Sequence, residues 1–310
     1  MDNKLKIVFV GIPDMALVCL SNLMQKKFNI VGVVPPQKTH EAFNFFKNFV
    51  SQYGLEFIEF EKSQNEKECI EKIKSLNADI GVVCSYNKLF SKEFLSTTKM
   101  GYINCHPSLL PYYRGAAPYF HVIKNGEEYS GITLHFMDEK FDTGDIVHQE
   151  RFKLMPFETM GSIFNRTTYM LSDALIEVLG KMEKNIEIKR YPQPKDKEFI
   201  DAPKVDGNFR IRWKTADVYE LERLIRACNP FYNVFTTFRG VNLSISKASI
   251  VEKNHNLQFG QIAYADEKVL LIAAKKGYLS LEVFQVGTWG VQTPFEFYNT
   301  FTPKTDEFLI

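Results

Sequence analysis

Short apolar runs alternate with helix-spaced apolar stripes through the first half of the chain. Ile7, Val8, Phe9 and Val10 form a run stopped by Gly11 and Pro13, which predicts a buried strand reaching a turn. Met15–Gln25 carries apolar residues at helical spacing, 28–34 is rich in strand formers, 40–52 is again helical, and 55–60 is the next expected strand. An amphipathic helix over 67–76 turns Ile70 and Ile73 inward, followed by a buried strand at Ile80–Cys84 and a short helix at Lys92–Leu95. A strand over 101–105 delivers Asn104 and then His106. After a helix at 118–125 come alternating positions over 131–137, a strand at 144–149 and a long helix at 161–183.

This β-α-β-α order predicts an α/β fold, a Rossmann-like, mainly parallel sheet with helices on both faces. Ligands of such sheets lie beyond the carboxyl ends of the strands. Gly11-Ile12-Pro13, Tyr86-Asn87 and Asn104-Cys105-His106 all follow strand ends, so they can share one crevice. Beyond 189 the pattern changes. Residues 190–205 are polar, carry Pro192, Pro194 and Pro203, and read as a linker between a catalytic domain (1–189) and a second domain (206–310). The second domain opens with an amphipathic helix at Val218–Cys228. Short strands follow at 234–238, 242–246, 261–263, 269–273 and 279–286, the set expected of a small OB-like β-barrel.

A length of 310 residues fits two domains. Hydrophobic content of 45% with a mean hydropathy of -0.20 describes an ordinary globular protein. A net charge of +1 excludes a strong global field for nucleic acid but leaves room for a local basic patch. The five cysteines show no zinc or CxxC spacing. Four sit in apolar settings, whereas Cys69 lies among charges and is expected to be partly exposed. Unpaired cysteines, a first strand without signal-peptide architecture, and no apolar run long enough for a bilayer together predict a cytoplasmic protein without a membrane segment.

The chemistry concentrates in Asn104-Cys105-His106-Pro107-Ser108-Leu109-Leu110-Pro111, the following Tyr112-Tyr113-Arg114-Gly115-Ala116-Ala117-Pro118, and Phe141-Asp142-Thr143-Gly144-Asp145. Two residues apart on an extended segment, Asn104 and His106 face the same way. The prolines after them stop any helix and fix a loop. Asp142 returns after one helix and one strand. An amide, an imidazole and a carboxylate converging beside a rigid loop suit attack on a carbonyl. Read singly, each has a structural alternative: a turn for Asn104, a buried bonded ring for His106, a turn residue for Asp142. Asp145, His121, His135 and His148 are read as structural, the histidines have no metal spacing, and no phosphate-binding glycine motif occurs.

These blocks resemble the formyltransferases that use 10-formyltetrahydrofolate. The SLLPYYRGAAP run at 108–118 is closest to the branch that holds the methionyl-tRNA and amino-sugar enzymes. The resemblance extends from Gly11-Ile12-Pro13-Asp14 to Ala202-Pro203-Lys204 and Arg226-Ala227-Cys228-Asn229-Pro230. It implies Asn104, His106 and Asp142 as the catalytic set, 10-formyltetrahydrofolate as cosubstrate, no metal, and a barrel-like second domain. It implies a pterin slot that uses Tyr86, Leu89, Phe90, Met137 and Asp138. Pro13, Met15, Ser108, Arg114 and Gly115 fall where the acceptor amine binds. Arg114 either meets a phosphate of the acceptor or anchors its loop, and Ser108 either caps the loop or meets the acceptor. Which of His106 and Asp142 takes the proton stays open.

The acceptor is addressed by two departures. The tRNA branch carries a long basic loop after the second strand, whereas here that place holds Val34-Pro35-Pro36-Gln37-Lys38-Thr39-His40-Glu41. Tracking phosphates needs several cations. The branch also has an aromatic residue where this chain has Met15. Both favour a small amine, the amino group of a nucleotide-linked sugar, with methionyl-tRNA as the alternative. Arg223, Arg226, Arg239 and Lys247 are the candidate basic face for the tRNA reading. Amino-sugar enzymes of this kind are often homodimers. A hydrolase releasing formate from the same folate is a further alternative. Hydrolases of the family place a regulatory domain ahead of the catalytic one, and a strand beginning at Lys6 is expected to leave no space for it.

Overall fold

The apolar run at 7–10 becomes the middle of a sheet. In the computed structural model, which describes residues 4–61, 65–86, 88–195 and 198–310, β1 (Lys6–Gly11) lies between two parallel neighbours, β2 (Asn29–Val34) and β3 (Ile80–Cys84). β4 (Tyr102–His106) continues the parallel set beside β3. β5 (Tyr129–Phe136) and β6 (Ile146–Lys153) extend it antiparallel, giving the order β2-β1-β3-β4-β5-β6. Burial on both faces explains why the inner strands read as continuous apolar runs.

Connecting helices supply the covers. α1 (Met15–Gln25) buries Met15, Ala16, Cys19, Leu20 and Leu23. α2 (Phe43–Gln52), α3 (Glu66–Ser75) and α4 (Lys92–Leu95) follow in the chain. Ile70, Ile73 and Phe94 from α3 and α4 pack with Val8, Val10, Val83 and Tyr102 of the strands. An aromatic ladder runs through this layer, with Phe90 and Phe94 stacked at 4.3 Å and Phe94 5.3 Å from Tyr102. Gly81 makes room for it, because a Cβ there would come within 2.0 Å of the Tyr102 ring.

α5 (Pro118–Lys124) and α6 (Met160–Glu183) complete the helices of this half of the chain. Two compact units result. The first takes in the chain up to Pro118, Tyr129–Lys153 and Phe164–Pro203, and the second Tyr119–Glu128, Leu154–Ile163 and Lys204–Ile310.

In the second unit β7 (Asn208–Arg210) precedes α7 (Val218–Cys228), whose start is fixed by an Asp217–Glu220 capping box. β8 (Asn233–Phe238), β9 (Val241–Val251), β10 (Ile262–Ala265), β11 (Leu270–Ala274) and β12 (Gly277–Val286) form a curved sheet in the order β10-β11-β12-β9-β8-β7. β13 (Val291–Gln292) pairs with β12, and α8 (Pro294–Phe301) buries Phe297. The last residues lace the sheet shut. Leu309 donates to the Gly260 carbonyl at 2.8 Å, and Ile310 exchanges two backbone bonds with Thr237. A β-rich second unit of this barrel-like kind agrees with the strand pattern.

Several expectations change. The strand at 55–60 reduces to a single bridge, Val33 to Phe57, between two backbone bonds on Val33. Cys69 is 2% exposed, because it faces the core side of α3 while the charges around it face outward. Much of the expected linker is bound into the first unit: Tyr191 bridges Ile146, Asp201 bridges Arg114, and Ala117 donates to the Ala202 carbonyl. No helix among the described residues is long and apolar enough to cross a membrane.

Candidate active site

The site is built where β4 gives way to its loop. Asn104 and His106 share a face of β4 with Tyr102, while Cys105 points to the other side and meets Cys84 at 3.4 Å. β5 pairs antiparallel with β4 in a register that sets His135 opposite Asn104. The turn after β5 is tight. Phe136 donates to the Asp145 carbonyl at 2.8 Å, and a Cβ on Gly144 would lie 1.8 Å from the Phe136 carbonyl. That turn brings Asp142 back over β4, with φ 55°, a left-handed conformation that Asp tolerates.

One carboxylate oxygen faces three side-chain nitrogens. Asp142 Oδ1 lies 3.2 Å from Asn104 Nδ2, 3.5 Å from His106 Nδ1 and 3.5 Å from His135 Nε2. Oδ2 accepts the Gly115 backbone N–H at 2.9 Å. Gly115 reaches it at φ 116°, with a Cβ position 2.7 Å from the Ala202 carbonyl, so only glycine fits.

Hydrogen-bond chemistry sets the tautomers. His106 Nε2 faces the Tyr113 carbonyl at 2.9 Å, and a carbonyl only accepts, so Nε2 carries the proton and Nδ1 presents its lone pair toward Asp142. His135 Nδ1 likewise donates to the Phe136 carbonyl at 2.9 Å, leaving Nε2 to accept from Asn104 at 3.1 Å. Both amide hydrogens of Asn104 are therefore engaged, one by His135 and one by Asp142.

Burial pushes Asp142 upward, but the His106 and His135 rings, as they take up protons at low pH, and the Gly115 N–H outweigh it and hold the carboxyl well below the usual carboxylate range. Burial pushes His106 down, against the upward pull of Asp142. For this coupled pair the direction that follows is an ionised Asp142 beside a neutral His106. The neutral ring contributes little positive charge at pH 7, so the fixed Gly115 and Asn104 donors hold the anion.

Arg114 is clamped beside this group. Its guanidinium donates to the Asp142 carbonyl at 3.1 Å and to Gln193 Oε1 at 2.6 Å, while Gln193 Nε2 donates to the carbonyls of Asp142 and Gly144 at 3.0 and 2.8 Å. The loop is anchored by an amide rather than a carboxylate, so the charge on Arg114 is not neutralised by these partners.

The remaining expected site residues divide. Tyr86, Leu89, Phe90 and Met137 line a narrow cleft with Asn104 and Asp142, and its volume of about 30 Å³ holds about two waters. Asp138 lines a larger adjoining cleft, but its carboxylate is occupied by the Thr143 hydroxyl and the Lys140 N–H. Three expected acceptor contacts are buried instead. Ser108 is 0% exposed and its hydroxyl donates to the Tyr112 carbonyl, Met15 is 1% exposed with its sulfur against the Ser85 hydroxyl, and Pro13 is buried beside them in sequence. They shape the loops from behind. Asn87 lies outside the described residues. His135 and Gln193 were missed. Alternation over 131–137 placed His135 on one strand face, and only the register revealed Asn104 as its neighbour. Nothing in the polar stretch around Gln193 signals its role. No cluster of metal-ligating side chains occurs among the described residues.

Known proteins resemble this chain over most of its length. Residues 6–179 match the formyl transferase family, and 205–302 match the formyl transferase C-terminal domain. A methionyl-tRNA formyltransferase of Clostridium tetani is 32% identical over 289 residues, 91% of this chain and 92% of its own. Among solved structures, WlaRD, a sugar 3N-formyl transferase crystallised with dTDP and 5-N-formyl-THF, superposes with a TM-score of 0.68 at 18% identity, covering 92% of this chain and 98% of its own. An N-formyltransferase from Helicobacter canadensis, in complex with folinic acid and dTDP-3-aminofucose, gives 0.68 at 17% identity over 89% of this chain and 98% of its own. At those identities the structures speak to the fold. The two family matches and the near-full-length relative place the chain in the formyl transferase family, as an enzyme that transfers formyl groups.

Proposed function

We propose that the protein transfers the formyl group of 10-formyltetrahydrofolate to the primary amine of a small molecule, a nucleotide-linked amino sugar. The observation that carries this reading is the meeting of Asn104, His106 and His135 on one oxygen of Asp142. The pterin is assigned to the cleft of Tyr86, Leu89, Phe90 and Met137.

The amine attacks the formyl carbon and makes a tetrahedral oxyanion. Asn104 turns one amide hydrogen from its resting partner to that oxygen. His106 Nδ1 takes the amine proton, and Asp142, already an anion, stabilises the ring cation that forms. The oxyanion then collapses, the C–N bond to the folate breaks, and the departing nitrogen takes the proton held by His106. An aspartate held far below its normal range is a weak base, so the proton is assigned to His106.

Electrostatics support the small acceptor. Lys38, the lone Lys or Arg of the 34–41 loop, is paired with Glu59 at 2.6 Å. In the second unit Arg226 binds Glu222, Arg239 binds Glu307, and Lys247 binds Glu282, so the candidate basic face is largely neutralised. Methionyl-tRNA is the second reading, supported by the Clostridium tetani relative. The test is to supply 10-formyltetrahydrofolate with charged initiator tRNA and, separately, with a panel of nucleotide amino sugars. Formylation of a sugar is expected; formylation of the tRNA alone would overturn the preferred acceptor, and formate release with no amine present would mark a hydrolase. His106→Ala and Asp142→Ala are each expected to remove most turnover while the protein stays folded.

A further inference from the structure

Of the four cations weighed as a basic face, Arg226, Arg239 and Lys247 are matched by glutamates and Arg223 is not. Arg223, on α7, donates through Nε to the Lys124 carbonyl at 3.2 Å, and its two terminal nitrogens have no partner among the described residues. The fork is nonetheless held in place. It packs over Gly126, where a Cβ would lie 3.1 Å from Arg223 Cδ and 3.3 Å from its Nε. Gly126 stands at φ 74°, a turn that favours glycine and lets the backbone after α5 approach the guanidinium closely.

Arg223 borders a pocket of about 250 Å³ whose lining lies wholly within the second unit. Ile123, Leu154, Met155, Pro156 and Ile163 make its apolar wall, with Ile123 and Ile163 buried. A cavity of about 150 Å³ already accepts a benzene ring, so this one has space for a ring with a short chain. The other charged groups of the lining are engaged. Arg226 forks onto Glu222 and donates to the Glu158 carbonyl at 2.9 Å, while the Glu158 carboxylate accepts the Met155 N–H at 2.7 Å. Glu127, the third acid of the lining, has a partner as well.

We infer that this pocket binds a monocarboxylate with a short apolar body. The carboxylate sits on the Arg223 fork and the body lies against Ile123, Leu154 and Ile163. Two parallel N–H donors on a planar group match the two oxygens of a carboxylate. A phosphate could also meet the fork, but three glutamates around one free cation repel a dianion, and phosphate leaves the apolar wall uncovered. Asn104, His106 and Asp142 do not line this pocket, so the inference stands apart from the folate and acceptor reading.

The probe is 3-phenylpropionate, titrated into the full chain by calorimetry and by NMR of ¹³C-methyl methionine. Met155 reports from the wall, and Met155→Leu identifies its signal. Saturable binding with a dissociation constant of about 1 mM or below is expected for a ligand of this size. The Met155 methyl should shift along the same curve. Arg223→Gln should weaken binding by about tenfold, and Arg223→Lys, which keeps the charge but loses the fork, should fall between. On the unaltered protein, 3-phenylpropanol tests the need for charge and acetate the need for a body; each should bind about tenfold more weakly or worse. The inference fails if the acid does not saturate, if the alcohol or acetate matches it, or if Arg223→Gln binds it undiminished. Binding that leaves the Met155 methyl unmoved, or a preference for inorganic phosphate over the acid, also overturns it.

Discussion

Asp142 owes its state to fixed donors rather than to a mobile counter-ion, and that makes its pH behaviour readable. Its folded pKa is depressed, so the stability it contributes is present above about pH 3.9, the unfolded carboxylate value, and is lost as pH falls toward the folded one. His106 is depressed as well. Its unfolded ring gains a proton below about pH 6.5 while the folded ring resists, so mild acid also weakens the fold. The acid limb of kcat/KM should therefore fall below pH about 6.5. Asp142→Asn removes the upward pull on the ring, so the residual activity of that variant should show an acid limb at still lower pH. An unmoved or raised limb would contradict the assignment of the proton to His106. Asn104→Ala should lower kcat by about 10²–10³ with a smaller change in folate KM.

At the level of elements, the aromatic ladder couples stability to the site. Phe94 is 0% exposed and stacks on Phe90, which lines the narrow cleft. Phe94→Ala should cost about 3–5 kcal/mol in denaturant unfolding. Gly81→Ala should be comparably damaging, since the Tyr102 ring occupies the space a methyl needs. An unchanged midpoint in either variant would show that the ladder does not hold β3 to β4. Most of these elements were legible because buried parallel strands and amphipathic helices have distinct periods. Val218–Cys228 was found at its observed bounds. The 55–60 segment misled because a β-rich, apolar stretch need not find a full ladder, and here a single bridge beside β2 suffices. The Asn104, His106 and Asp142 constellation was legible from spacing, whereas His135 and Gln193 depend on register and on a returning loop, which local sequence does not encode. Ser108 and Met15 carried the right motif but faced inward, because side-chain direction in irregular loops has no period to read.

Across the whole molecule, thiols are distributed in an instructive way. All five cysteines are free and buried: Cys19, Cys69, Cys84 and Cys105 in the first unit, Cys228 in the second. Burial, helped by Glu66, pushes the Cys69 thiol up to about 12, and burial alone pushes Cys228 up to about 12. Thiol-specific reagents should leave the native protein nearly untouched and modify it only as it opens. Fast labelling of native protein would contradict the burial. Because α7 holds the sole sulfhydryl of its unit, mass spectrometry of alkylated peptides becomes a two-channel clock: carbamidomethylation at position 228 times the breathing of one half of the chain, and the other four sites time the half that holds Asn104, His106 and Asp142.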